Sequence, residues 1–148
     1  MKLKVAWIGK TKEPAIQSLT DEYLKRIGRY VPVEGVSLKD EAGLKGLGGR
    51  GGRHHTNNFL VLLDSRGKQM SSEELARFLG DYQDQNPLPL VFAIGPANGF
   101  SEEVRGSASL LLSFGRMTLA HELARVVLLE QIYRSFTILK GHPYHLGH

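Results

Sequence analysis

Leu90-Val91-Phe92-Ala93-Ile94 is an unbroken apolar run that passes directly into Gly95-Pro96-Ala97-Asn98-Gly99-Phe100 and then into Ser101-Glu102-Glu103-Val104. A run of that length without alternation reads as a strand buried on both faces. The glycine and proline after it make a loop, and Ser101 followed by two acids opens a short helix. The same strand, loop and helix order recurs on either side. Asn58 to Asp64 is a buried strand that ends in Asp64-Ser65-Arg66-Gly67-Lys68. Ser71 with Glu74 three residues later is a capping box, which opens a helix running to Leu79. Leu110 to Phe114 is a further strand, Gly115 to Ala120 a loop, and His121 to about Phe136 a long helix.

Upstream, Lys2 to Ile8 is the first strand and Gly9 ends it. Pro14 takes a first helical position, ahead of Ile16, Leu19, Tyr23, Leu24 and Ile27 at helical spacing. Val31 to Leu38 contains Pro32, which a strand tolerates at a sheet edge. Strands and helices alternate throughout, the pattern of an α/β sheet with parallel strands.

The chain has 148 residues, 41% of them hydrophobic, which is enough for one sizeable core, so a single domain over 1–148 is expected. A net charge of +4 favours an anionic partner such as RNA. With no cysteine there is no disulfide, thiolate nucleophile, cysteine-ligated zinc or iron–sulfur cluster. No apolar run approaches the ~18 residues of a membrane span, and the opening Met1-Lys2-Leu3-Lys4-Val5 is punctuated too soon for a secretory signal. A soluble, cytoplasmic protein without a membrane partner is the expectation.

In parallel sheets ligands bind beyond the carboxyl ends of the strands. Three loops there follow continuous apolar strands, starting at Leu63, Gly95 and Phe114, and glycine in two of them lets backbone approach a ligand closely. Residues 43–53 carry six glycines and three cations, which reads as a mobile basic loop, a solvated surface or a phosphate-contacting arm. On the long helix, at about 100° per residue, Leu119, Leu123, Val126 and Val127 face one way while Leu129, Ile132, Tyr133 and Phe136 face another. One helix is asked to satisfy two apolar partners, which favours a second subunit over part of it.

Other chemistries lack their motifs. There is no Gly-x-Ser-x-Gly elbow, no Walker loop, and no Gly-x-Gly-x-x-Gly after the first strand, where Gly9 is followed by Lys10-Thr11-Lys12-Glu13. His142, His145 and His148 have a metal-like rhythm, but Pro143 interrupts any helical ligand face, so no metal is expected. From residues alone this is a ligand-binding α/β domain with an anionic partner.

Three stretches say more: Gly95-Pro96-Ala97-Asn98-Gly99-Phe100-Ser101, Ser113-Phe114-Gly115-Arg116-Met117-Thr118-Leu119-Ala120-His121, and His142-Pro143-Tyr144-His145. With Leu63-Asp64-Ser65-Arg66-Gly67-Lys68 and Arg125 to Arg134, they resemble in order the ribosomal large-subunit methyltransferase H family, of the SPOUT class. The resemblance implies an α/β sheet with a C-terminal trefoil knot, and a homodimer that uses S-adenosylmethionine to methylate N3 of a pseudouridine in a stem-loop of 23S rRNA in the ribosome. It implies a cofactor pocket of Leu63, Gly95, Phe114, Gly115, Arg116, Met117, Thr118 and Leu119, with adenine in an apolar slot.

The acceptor imide must lose a proton, and His142, Tyr144 and His145 are the groups that the resemblance offers for catalysis. Arg134 and Lys140 are candidates for phosphate contacts, and His121 fixes the turn that opens its helix. The chain departs from the family at Pro96, where a glycine is usual, at Ala120, where a proline commonly stands, and in the tail Leu146-Gly147-His148. Two other readings stand beside this one: a non-catalytic RNA-binding module on the same fold, and a metal-dependent hydrolase using the terminal histidines.

Overall fold

The computed structural model describes residues 1–47 and 58–147. Its strands are β1 (Leu3–Ile8), β2 (Val33–Leu38), β3 (Phe59–Gln69), β4 (Leu90–Ile94) and β5 (Leu110–Ser113). Its helices are α1 (Pro14–Ile27), α2 (Ser72–Gln85), α3 (Glu102–Ser107) and α4 (His121–Leu139), with 3₁₀ turns at Glu41–Gly46 and Pro143–Gly147. The sheet order is β2-β1-β4-β3-β5 and every pairing is parallel. The edge strand is β2, which starts at Val33 so that Pro32 directly precedes it instead of lying in it, and the carboxyl ends of all five strands share one side.

Alternate residues feed two cores although the central strands are apolar on both faces. Val5, Trp7, Val61, Leu90, Phe92 and Ile94 point to the face covered by helices, where Leu128, Leu129, Ile132 and Phe136 of α4 meet them. Ala6, Leu60, Leu62, Val91 and Ala93 point the other way, to Leu44, Leu47 and Phe100. Each such large side chain contributes about 2 kcal/mol by leaving water. α4 lies against both α1 and α2. Ser71 Oγ accepts from Glu74 N–H and the Glu74 carboxylate accepts from Ser71 N–H, so the capping box forms as expected.

Two segments differ from the sequence expectation. The first is the stretch 43–53. Its leading part, to Leu47, is packed: Leu44 and Leu47 are buried, the Asp40 side chain accepts from Ala42 N–H, and Lys4 Nζ donates to the Leu47 carbonyl. Leucines three apart on a 3₁₀ turn reach the sheet and outweigh the freedom of the glycines. Residues 48–53 lie outside the described residues, as does His148.

The second is β3, which does not stop at Asp64. Its register against β5 jumps from Leu63 opposite Leu112 to Lys68 opposite the same Leu112, so the chain leaves the sheet at 64–67 and returns to it. Gly67 permits the return, because a Cβ there would sit 2.5 Å from the carbonyl carbon of Leu111. The helices α2 and α4 also run further than the periodicity suggested, and the last strand stops at Ser113.

Candidate active site at the carboxyl edge of the sheet

The excursion of β3, the loop Gly95–Phe100 after β4 and the loop Phe114–Ala120 after β5 enclose one cleft of about 300 Å³. That volume is at the small end of ligand pockets. Leu63, Gly95, Phe114, Gly115, Met117, Thr118 and Leu119 all line it, so seven of the eight expected cofactor residues come together. Arg116 does not line it and is exposed. Sequence reasoning picked out the loops but missed several lining residues: Asp64, Ser65 and Arg66 of the excursion, Phe100, and His121 and Ala124 at the start of α4. The signal for His121 was its position directly after the third loop.

The walls are apolar and uncovered. Met117 is 87% exposed, Phe114 37% and Leu119 36%. Large apolar side chains left in water around a cleft fit a ligand with a flat apolar face. Gly95 is closed on its other side by the Phe100 ring, whose nearest carbons lie 3.1 Å from where a Cβ would be. Gly115 has φ +123°, a conformation that side chains resist, and Ser113 Oγ braces the turn by accepting from Gly115 N–H at 3.0 Å. Pro96, the departure in the second loop, closes a turn through its carbonyl, which accepts from Gly99 N–H at 2.8 Å. Ala120 leaves the N-terminus of α4 without a side-chain cap.

The excursion is held electrostatically. Arg105 Nε of α3 lies 2.7 Å from Asp64 Oδ2, with both side chains about 90% covered. Asp64 Oδ1 accepts from Arg66 N–H at 2.8 Å, and Arg105 also bonds Glu102. An ion pair removed from bulk water in this way fixes geometry more than it adds stability.

The C-terminal tail is elsewhere in the chain. Tyr144 Oη donates to Glu130 Oε2 at 3.0 Å, its ring meets Tyr133 edge-on at 4.8 Å, and Arg134 lies over it. Glu130 is about 14 Å along the helix from His121. No described residue of 142–147 lines the cleft, so the cofactor residues and the tail are not brought together within one chain.

Burial is the first cause that pushes the Tyr144 phenol above its ordinary 10, and hydrogen bonds with Tyr23 and Glu130 add to it. Its hydroxyl is the donor in the bond to Glu130. His142 Nδ1 accepts from Tyr144 N–H at 3.2 Å. His145 shares this turn, and its side chain lies outside the described residues. Arg134 is engaged by both Glu130 oxygens, at 3.1 and 2.7 Å, whereas Lys140 is exposed beyond the end of α4. Among the described residues no group of histidines and carboxylates is placed to hold a metal ion, and no helix is long and apolar enough to cross a membrane.

A family model described as "Predicted SPOUT methyltransferase" matches residues 1–145. A protein named Ribosomal RNA large subunit methyltransferase H, from Koribacter versatilis, is 61% identical over 148 residues and the match covers 100% of each chain. A protein of the same name from Geotalea daltonii is 47% identical, with 98% of this chain and 99% of that one covered. Among solved structures, that of a probable methylase family protein from Haemophilus influenzae aligns over 96% of this chain and 69% of its own with TM-score 0.59 at 12% identity, a likeness of fold.

Proposed function

This chain belongs to the SPOUT methyltransferase family, and from that premise we propose that it methylates N3 of a pseudouridine in a stem-loop of 23S rRNA, with S-adenosylmethionine bound in the three-loop cleft. The observation that carries the proposal is the convergence of Leu63, Gly95, Phe114, Gly115, Met117, Thr118 and Leu119 on one apolar-walled cleft at the carboxyl edge of the sheet. Its uncovered apolar walls suit an adenine, so the residues fit the cofactor. When bound, S-adenosylmethionine supplies an electrophilic methyl group on a sulfonium.

What the chain contributes is alignment and proton handling. Leu63, Phe114, Met117 and Leu119 would clasp the adenine, and backbone at Gly95 would read its edge, the N–H and carbonyl of Gly115 being engaged by Ser113 Oγ. The end of β5 lies against the β3 excursion, where Ser113 Oγ donates to the Ser65 carbonyl. Removal of the imide proton falls to His142 or His145. Tyr144, protonated and bonded to Glu130, holds the tail that carries them.

The separation of tail and cleft supports a homodimer as the working unit. Leu123 on α4 is 46% exposed and Leu19 of α1 is 42% exposed. A second copy covering these side chains would bring its tail to the cleft. The domain is then one unit over 1–148, and a cytoplasmic location follows from a ribosomal substrate. The test is transfer of labelled methyl from S-adenosylmethionine to ribosomes and to free 23S rRNA. Label that maps to N3 of one pseudouridine is expected, and label on protein or on no RNA would overturn the assignment.

A further inference from the structure

The first turn of α4 carries two side chains that the proposed reaction does not use. Arg125 is 1% exposed, its Nη1 donates to Thr11 Oγ1 at 2.6 Å, and its guanidinium carbon lies 4.1 Å from the centre of the Trp7 ring. Glu122 Oε1 accepts from the backbone N–H groups of Lys12 at 3.1 Å and Glu13 at 3.3 Å. Both grip one segment, Gly9–Glu13, between β1 and α1. Among the described residues no carboxylate is bonded to this guanidinium, so burying it is unfavourable, and burial lowers the affinity of Arg125 for its proton. Core packing alone is served better by an aliphatic residue. The arginine instead fixes a loop.

That loop stands beside the cleft. β1 neighbours β4 in the sheet, so Gly9–Glu13 emerges at the same carboxyl edge, next to the loop Gly95–Phe100. The anchoring helix turn also carries His121 and Ala124 of the cleft wall. At its start the segment is pinned a second time: Gly9, at φ +96°, donates to the Leu38 carbonyl and accepts from Ser37 Oγ. Between these anchors Lys10 and Lys12 are exposed, and among the described residues neither is ion-paired. Arg66, across the cleft, is by contrast engaged by Asp64 and Glu102.

We infer that Gly9–Glu13 is a phosphate-binding lip of the RNA site, in which Lys10 and Lys12 contact the RNA backbone while Arg125 and Glu122 position them. The inference rests on the methyltransferase reading above and adds where the RNA backbone is held. Cations on a preset loop bind phosphates at a smaller entropy cost than cations on a free one.

The test is fluorescence anisotropy of a labelled 23S stem-loop oligonucleotide between about 50 and 200 mM salt. For the Lys10→Ala/Lys12→Ala variant, affinity should fall about tenfold and the slope of log affinity against log salt should decrease by about 1.4–1.8, the release of two phosphates. Arg125→Met, with both lysines present, should lose part of the same slope, and Arg125→Lys should recover some of it. A merely structural role for Arg125 would lower the melting temperature without moving the slope. An unchanged affinity and slope in the double lysine variant would overturn the inference. Titration of the same preparations with S-adenosylmethionine, expected to be unaffected by the lysine changes, separates this failure from failure of the methyltransferase reading, which would appear as no cofactor binding by the unaltered protein.

Discussion

Tyr144 gives its phenolic hydrogen to Glu130 at 3.0 Å, and this bond moors the C-terminal tail to the middle of α4, away from the cleft that His121 borders at its start. A tail held there serves another protomer's cleft or none. Mixing two inactive variants distinguishes these. Gly95→Val spoils the cleft and His142→Ala with His145→Ala spoils the tail. A one-to-one mixture allowed to exchange subunits should regain roughly a quarter of full activity, because half the dimers hold one intact pair. No recovery would mean that each tail serves its own cleft.

The cofactor wall should respond residue by residue. A valine at position 95 must displace the Phe100 ring, whose carbons lie 3.1–3.2 Å from the first added atom, and the affinity for S-adenosylmethionine should fall at least tenfold. Arg116→Ala should leave it within about twofold, since that side chain points away from the cleft. Calorimetric titration of both variants checks the pair.

Asp64→Asn removes the charge that Arg105 Nε faces at 2.7 Å and leaves a largely covered guanidinium with the exposed Glu102 as its counter-ion. A loss of about 1–3 kcal/mol in denaturant unfolding is expected. Cofactor affinity should drop with it, because the β3 excursion that Asp64 steadies is one wall of the cleft. Arg105→Ala together with Asp64→Asn should cost less than the separate losses added.

The proton-transfer assignment has a pH signature. Tyr144 is held protonated above its ordinary 10, so it cannot take up the imide proton near neutrality. Tyr144→Phe should lower the rate while leaving the shape of its pH profile unchanged, because the phenol holds the tail and takes up no proton. A profile whose rising limb disappears in Tyr144→Phe would make the tyrosine the base.

Stability at α2 offers a control away from the site. Ser71→Ala breaks the capping box and should cost about 1 kcal/mol, or roughly 3 °C in melting temperature, without altering methyl transfer. The bonds from Ser71, first its backbone N–H, hold the Glu74 carboxyl below its ordinary 4.5. A carboxyl depressed in the folded state adds stability above its unfolded value and loses it as pH falls through the folded one. The gap between the native protein and Glu74→Gln should therefore close below about pH 4.

The fold was legible where local pattern and tertiary structure agree. Leu90–Ile94 emerges with the boundaries its apolar run implied, and the Ser71 and Glu74 pair forms the cap that its spacing required. What could not be read was decided by distant partners. Residues 64–67 leave the sheet and return because β5 is there to pair with Lys68, and nothing in Asp64-Ser65-Arg66-Gly67 announces it. Leu44 and Leu47 turn part of a glycine-rich stretch into packed structure only because a sheet face waits beneath them.

At the site, the rule for parallel sheets located the loops and the family resemblance supplied the residues. The outward Arg116 and the distance from tail to cleft depended on three-dimensional placement. Arg125 was visible as a cation inside the apolar stretch of α4, but its partners, Trp7 and Thr11, lie at the other end of the chain.

The central claim is that S-adenosylmethionine occupies the three-loop cleft. Calorimetric titration of the purified protein with S-adenosylmethionine and with its demethylated product tests it most directly. One site per protomer, abolished by Gly95→Val and by Thr118→Trp in folded protein, is the result the account predicts. No heat at millimolar ligand, or binding that survives both substitutions, would contradict it.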